Sequence, residues 1–433
     1  MAKGAVIGLD IGTRLIKFCE LRPGREGPEL VNWGACPTPE NTISNGVIID
    51  PATLAETIKD LLSSSGAKSR RVQCSVASQS SLVVRPIEVP RMTEAELAET
   101  MRWEVERYIP FAASEVIVDY KPLIPVDLVP PEAQNMEVLL AAGQEDMING
   151  YIETLTLAKL EPVSLDVEPL AAARALVDIH ADEGSYDKVY ALVNIGAGTT
   201  DISIIRKGIL TFTRPVSVGG DNLTNAISES LGREFDEAER MKIEEGMILF
   251  DATLYRPALG TGAAEPAGDE FTITPPENDI LGLHDEKPAA SVFDLSEEPI
   301  TAPPPSAAPP SMSLPVAPTV PTLQTVGDTT GRRVFESIAP TLAELVTEIR
   351  RSLDFYATRS PQDPIDKVLV FGGTSRLPHF DLFLSNELGM TVEVADPLSR
   401  LDVSISEEML SELRAHAPML TIAVGMGIRD MLE

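Results

Sequence analysis

The chain of 433 residues predicts an α/β protein of two duplicated halves. A small α+β unit is inserted in the first half and a Pro-rich, disordered segment in the second. Three observations predict this. An apolar strand, a Gly/Thr turn and a second apolar strand occur at 5–21 and again in "KVYALVNIGAGTTDISIIRKG". Strands alternate with amphipathic helices around both copies. Composition breaks sharply over 251–330.

Taken in order, "AVIGLDIG" and "RLIKFCEL" are two strands of a hairpin about a tight turn, and "LVNWGACPT" is a third strand. "PATLAETIKDLLSSSGA" is a helix, because Leu54, Ile58, Leu61 and Leu62 recur at helical spacing and Gly66 can close it. "RVQCSVAS" alternates as a strand does. Over 86–162 the character changes to α+β. A helix at 94–108 is announced by Thr93 with Glu96 three residues on, the capping-box spacing, and stops before Pro110. The strands "EVIVDYKPLI" and "MEVLLAAGQ" follow, then the helix "DMINGYIETLTLAKLEP". The α/β pattern restarts at 163–249, with "LTFTRPVSV" as a strand and "NLTNAISESLG" and "FDEAERMKIEEG" as helices. A long helix follows at 332–360, where Pro340 marks a kink or a start. "KVLVFGGTSRLPHF" reads as strand, turn and helix, and "PMLTIAVGMGIRDML" as an apolar helix with small residues at Ala423, Gly425 and Gly427.

Residues 251–330 hold only Arg256 and Lys287 as basic residues and are rich in Pro and Ala. Such a segment buries too little apolar surface to offset its ordering entropy, so it reads as a solvated linker or a P-x-x-P ligand. The net charge of −31 argues against a nucleic-acid surface, and against docking of the whole chain on anionic lipid. No run approaches the ~18 apolar residues of a membrane-spanning helix, and no signal peptide opens the chain, which predicts a cytoplasmic protein. Cys19, Cys36 and Cys74 lie far apart, as do His180, His284, His379 and His416. Neither set reads as a disulfide framework or a zinc site.

Three short stretches carry chemistry. In "DIGT", backbone N–H groups of a Gly turn suit an anion, Asp10 suits Mg²⁺ held through waters, and Lys17 reaches across the hairpin. In "NIGAGTTD", Gly196 and Gly198 admit close approach to a ligand, Thr199 and Thr200 offer hydroxyls, and Asp201 can share the metal. In "VFGGTSRLP", Gly372 and Gly373 end a strand before a helix, which suits a base, a ribose or an anion. Each alone is equally a Gly-rich turn.

In this order the three resemble the phosphate-1, phosphate-2 and adenosine motifs of the actin-like ATPase superfamily, which includes actin, the heat-shock chaperone ATPases, sugar kinases, MreB and FtsA. The resemblance implies the actin-like ATPase fold, ATP and Mg²⁺. It puts Asp10 and Asp201 at the metal and Gly12 and Thr13 around the β-phosphate, with Lys17 neutralising charge. Gly196, Gly198, Thr199 and Thr200 would grip the other side of the phosphates, with Gly220 in a further Gly turn. Gly372, Gly373 and Ser375 belong to the adenosine motif. "DVEPLAAARAL" resembles the connect-1 helix, where Glu168 would orient an attacking water. "EAERMK" resembles the helix whose Glu239 and Lys242 flank the nucleoside, and "TIAVGMGIRD" the connect-2 helix.

The stretch "VVRPIEVPRMTEAELAETMRWEVERYIPF" is similar to the PilM family of type IV pilus assembly proteins. That resemblance divides the chain into 1–85 (subdomain 1A), 86–162 (subdomain 1C), 163–190 (1A with connect 1), 191–250 (second half), 251–330 (insertion) and 331–433 (second half with connect 2). It implies a scaffold at the inner face of the inner membrane, held there through partners. Those partners are the N-terminal peptide of PilN, in a groove between 1A and 1C, and the pilus platform and motor; self-association is left open. Helix 94–108 would build one wall of the groove with Trp103, Tyr108 and the following Ile109-Pro110-Phe111, although these residues also suit the subdomain's own core; Glu99, Glu104 and Glu106 fall on more polar faces that would meet basic residues of the peptide. An ATPase, an FtsA-like division protein and a metabolic kinase are the competing readings. The amphipathic terminal helix expected of FtsA is not read here.

Overall fold

The structure, a computed structural model, describes residues 4–25, 27–77, 81–130, 132–181, 184–248 and 330–432. Strands β1 (Val6–Ile11), β2 (Leu15–Pro23) and β3 (Pro28–Pro37) pair antiparallel in succession. A small hairpin of β4 (Ile43–Ser44) and β5 (Val47–Ile48) leads into helix α1 (Pro51–Ser64). Asp50 caps α1 by accepting the Thr53 N–H at 3.1 Å, and Pro51 stands where a missing N–H costs nothing. Strand β6 (Arg71–Val76) returns parallel to β1.

Strand β7 (Leu82–Pro90), helix α2 (Glu94–Glu104), β8 (Val116–Pro122) and β9 (Asn135–Gln144) form the inserted unit. Its sheet runs β7-β9-β8, all antiparallel, and its own core joins Ile87, Val89, Leu97, Met101, Val138 and Leu140. The expected capping box is present. Thr93 Oγ1 accepts the Glu96 N–H, and Glu96 Oε2 accepts the Thr93 N–H at 2.8 Å. The α-helix ends at Glu104, short of the expected 108, and tightens into one 3-10 turn over 105–107.

The inserted unit is also narrower than the 86–162 read from the sequence. Helix α3 (Glu145–Leu157) buries Met147, Tyr151 and Leu155 in the core of the first half, where it packs on α1. Strand β10 (Glu161–Val167) pairs parallel with β6 at the sheet edge. An apolar helical stripe says that a helix is buried, not which sheet buries it.

Helix α4 (Glu168–Leu176) leads into the second half: β11 (Val189–Ile195), β12 (Thr200–Arg206) and β13 (Ile209–Val216), then α5 (Gly220–Leu231) and α6 (Phe235–Glu244). After the residues not described come α7 (Thr330–Arg359), β14 (Lys367–Phe371), α8 (Phe380–Leu388) and β15 (Val392–Val394). Pro340 lies inside α7, so it does not start that helix. The segment read as a disordered insertion falls almost wholly outside the described residues.

The second sheet runs β13-β12-β11-β14-β15, three antiparallel strands followed by two parallel ones. The first runs β3-β2-β1-β6-β10 with the same directions. The two halves are therefore one topology used twice. Strand β16 (Asp402–Val403) adds to the edge of β3, and α9 (Glu407–His416) and α10 (Thr421–Gly427) close the chain. Helix α10 lies against α4 and β1 with almost no space between the backbones. A Cβ on Gly425 would stand 1.8 Å from the Ala171 carbonyl oxygen, so only glycine fits. No helix among the described residues is long and apolar enough to cross a membrane.

Candidate functional site

The equivalent hairpins of the two halves face one cleft. The β1–β2 turn closes with the Gly12 N–H on the Leu15 carbonyl at 3.0 Å, and the β11–β12 turn with the Gly196 N–H on the Thr199 carbonyl at 2.9 Å. Register makes the two turns equivalent. Asp10 stands opposite Lys17 in the first ladder, and Asn194 opposite Asp201 in the second. The first pair is an ion pair with Lys17 Nζ 2.6 Å from Asp10 Oδ2; the second places an amide where the first has an acid. The cleft also receives α5, whose first N–H groups, of Gly220 and Asp221, donate to the Gly196 and Ala197 carbonyls at 2.9 and 2.8 Å.

The third wall is the end of β14. Gly372 has φ 91°, and a Cβ there would lie 2.5 Å from the Ile195 carbonyl oxygen. Positive φ and close approach both demand glycine at this position. Gly373 and Gly198 have open space where a side chain would be, so bare backbone faces the cleft at both points.

Glu168, the first residue of α4, accepts a hydrogen bond from Asn194 Nδ2 at 3.1 Å. Burial, then the neighbouring carboxylates Asp10 and Asp201, push its pKa well above the usual range. Burial pushes Asp201 up to about 7. Its Oδ1 is buried without a hydrogen-bond partner, and an acceptor left so in low dielectric is costly unless a ligand, cation or water meets it. No group of three or more His, Cys, Asp or Glu side chains among the described residues is arranged to hold a metal directly.

Most residues read from the sequence meet here. Asp10, Gly12, Thr13, Lys17, Glu168, Gly196, Gly198, Thr199, Asp201, Gly220, Glu239, Lys242, Gly372 and Gly373 all line the cleft. Two do not. Thr200 is buried with its hydroxyl on the Val218 carbonyl at 2.7 Å, and Ser375 Oγ donates to the Gly372 carbonyl at 2.8 Å. Both brace turns from behind. Lys242 lines the cleft, but its Nζ is spent on the Gly220 carbonyl, Thr224 Oγ1 and Glu239 at 2.7–2.9 Å. Sequence reading missed Asn194, Arg14, Asp221 and Arg376 on the cleft wall. For Asn194 the signal was available: it is the residue before "IGAG" that matches Asp10 before "IGTR".

On the inserted unit, Trp103 is 74% exposed and no part of the core. Tyr108 and Phe111 are half-buried against that core, and the Tyr108 hydroxyl donates to the Glu88 carbonyl at 3.4 Å. Glu104 pairs with Arg107 at 3.0 Å, and Glu106 is exposed.

A model of the family described as type IV pilus assembly protein PilM matches residues 8–248, and that of the cell division protein FtsA matches 191–425. The solved structure of a PilM–PilN type IV pilus biogenesis complex is similar with a TM-score of 0.71 and 26% identity, covering 98% of this chain and 98% of that one. FtsA of Bacillus subtilis is 33% identical over 116 residues, 27% of this chain and 26% of the relative. FtsA of Streptococcus pneumoniae is 24% identical over 266 residues, 56% of each. The cell shape-determining protein MreB of Haemophilus influenzae is 27% identical over 241 residues, 55% of this chain and 54% of the relative. The chain thus spans between about a quarter and just over half the length of these curated relatives. The fold is that of the actin-like ATPases.

Proposed function

Since the chain belongs to the PilM family of type IV pilus assembly proteins, we propose that it is an ATP-binding scaffold of the pilus assembly platform, carrying a PilN-type peptide at the inner membrane. The observation that carries the nucleotide part is the pair of equivalent Gly turns facing one cleft, which the buried Asp201, with its partnerless Oδ1, also lines. The N–H groups of the two turns would hold the phosphates, and Lys17 would neutralise them. Asp10 and Asp201 would hold Mg²⁺ through waters, which suits an ion that dehydrates reluctantly and a site without three direct ligands. When bound, Mg²⁺ would offset phosphate charge beside three buried acids. Gly373, Arg376 and Ile243 also line the cleft and suit a nucleoside.

The partner part rests on family membership, on the PilM–PilN complex as a structural relative, and on the exposure of Trp103. Coupling to a pilus motor belongs to the same proposal.

Thermal unfolding with rising MgATP tests the nucleotide part. Wild type should gain stability with ligand concentration as mass action requires, about 2.7 kcal/mol at a hundredfold excess over Kd. Asp10→Ala and Gly196→Val should abolish the gain. A full gain in both variants overturns the site.

A further inference from the structure

We propose that Arg14 is a latch across the mouth of the cleft, which must open for a nucleotide to enter or leave; this rests on the nucleotide-binding reading. Two of the contacts between the halves bear on the cleft. At the floor, α10 lies backbone to backbone on α4 and β1, and Asn194 holds Glu168. That level is rigid, since packing this close leaves nothing to compress. At the mouth, Arg14 Nε lies 3.1 Å from both oxygens of Asp221, a residue 207 positions away in the other half. The same guanidinium sits 4.3 Å from the centroid of the Phe235 ring.

Both ends of this contact are anchored. The Thr38 N–H donates to the Arg14 carbonyl at 3.0 Å and Thr38 Oγ1 to the Gly12 carbonyl at 2.6 Å, so the turn bearing Arg14 is tied to the end of β3. Asp221 lies in the first turn of α5 with its N–H on the Ala197 carbonyl, and Phe235 is the first residue of α6. Short, tethered ends mean that the contact breaks rather than stretches when the halves part. Arg14 and Asp221 both line the cleft, yet their side chains are 46% and 26% exposed, which places them at its rim. A polyphosphate bound between the two turns would sit behind this pair.

A solvent-screened ion pair with a cation–π contact is weak enough to open thermally and strong enough to slow passage. Stopped-flow exchange of a fluorescent ATP analogue on the full-length protein tests this. Asp221→Asn and Phe235→Leu should each raise the association and dissociation rates together, by about two- to fivefold, and leave Kd within about twofold. The charge-swapped double variant Arg14→Asp/Asp221→Arg should return both rates towards wild type. A change in Kd with an unchanged association rate would make the pair a ligand contact and overturn the latch. So would unchanged rates in both single variants. If wild type binds no analogue, the nucleotide reading fails and the latch is judged in the ligand-free protein. There, amide exchange of 12–15 and 219–223 should be faster in Asp221→Asn, and equal exchange overturns it.

Discussion

Lys17 Nζ lies 2.6 Å from Asp10 Oδ2 across the first hairpin, and nothing equivalent faces Asp201 across the second, where the partner position is Asn194. One buried acid is compensated and its counterpart is not. Asp201 therefore folds at a cost that depends on pH. Its pKa stands at about 7 in the folded protein, against about 3.9 for an unfolded Asp, so the folded state binds the extra proton in between.

Stability of the nucleotide-free protein should accordingly fall as pH rises from about 4 to about 7 and level off above. Glu168, raised in the same direction, adds to this. The net charge of −31 gives every variant some of the same slope, so the comparison is with Asp201→Asn. That variant should be more stable than wild type by roughly 1–3 kcal/mol at pH 8 and lose the advantage near pH 4, read by urea unfolding. A parallel pair of pH curves would refute the assignment.

Gly425 and Gly198 should respond oppositely to alanine. At Gly425 the new methyl would stand 1.8 Å from the Ala171 carbonyl oxygen, so the α4–α10 contact must separate, at a cost of about 3 kcal/mol or more. At Gly198 it meets nothing within 4 Å, so stability should hold within about 0.5 kcal/mol while the stabilisation by MgATP shrinks. Denaturation curves with and without MgATP read both effects.

The segment between 248 and 330 should be dispensable for folding. Its flanks already meet: a Cβ on Gly331 would lie 3.0 Å from the Glu245 carbonyl oxygen, and the Ile248 N–H donates to the Pro378 carbonyl at 3.1 Å. A short Gly-Ser linker in place of 255–328 can therefore join them, and loop closure is entropically cheaper for a shorter loop. The shortened protein should melt at or above the wild-type temperature. Loss of soluble folded protein would show that the segment packs on the domain.

Trp103 should matter to a partner and not to the fold. At 74% exposure, Trp103→Ala should change stability by less than about 0.5 kcal/mol. If the PilN-type peptide uses this helix, the same change should weaken binding by ~2 kcal/mol, as removal of a central aromatic anchor does. Glu104→Lys/Glu106→Lys should chiefly slow association with a basic peptide. Titration of labelled peptide measures both, and undiminished binding to both variants would remove the peptide from this surface.

The sequence alone was enough for the duplicated halves, the hairpin turns, the Thr93–Glu96 cap and the family, because these are written in local spacing: period-two strands, glycine where a turn needs it, a hydroxyl three residues before a carboxylate. Only the tertiary structure decided which distant pieces share a layer. It moved α3 from the inserted unit into the first half, added β10 to that sheet, and brought Asp402–Val403 to the edge of β3 by a two-residue parallel pairing too short to leave a pattern. It also turned Thr200 and Ser375 away from the cleft, since a hydroxyl takes the nearest free carbonyl whatever motif it stands in. It exposed Trp103, and it brought Arg14 to Asp221 across 207 residues. Spacing fixes which way a side chain leaves its own strand or helix. What it meets there depends on how the two halves close, and no local pattern carries that.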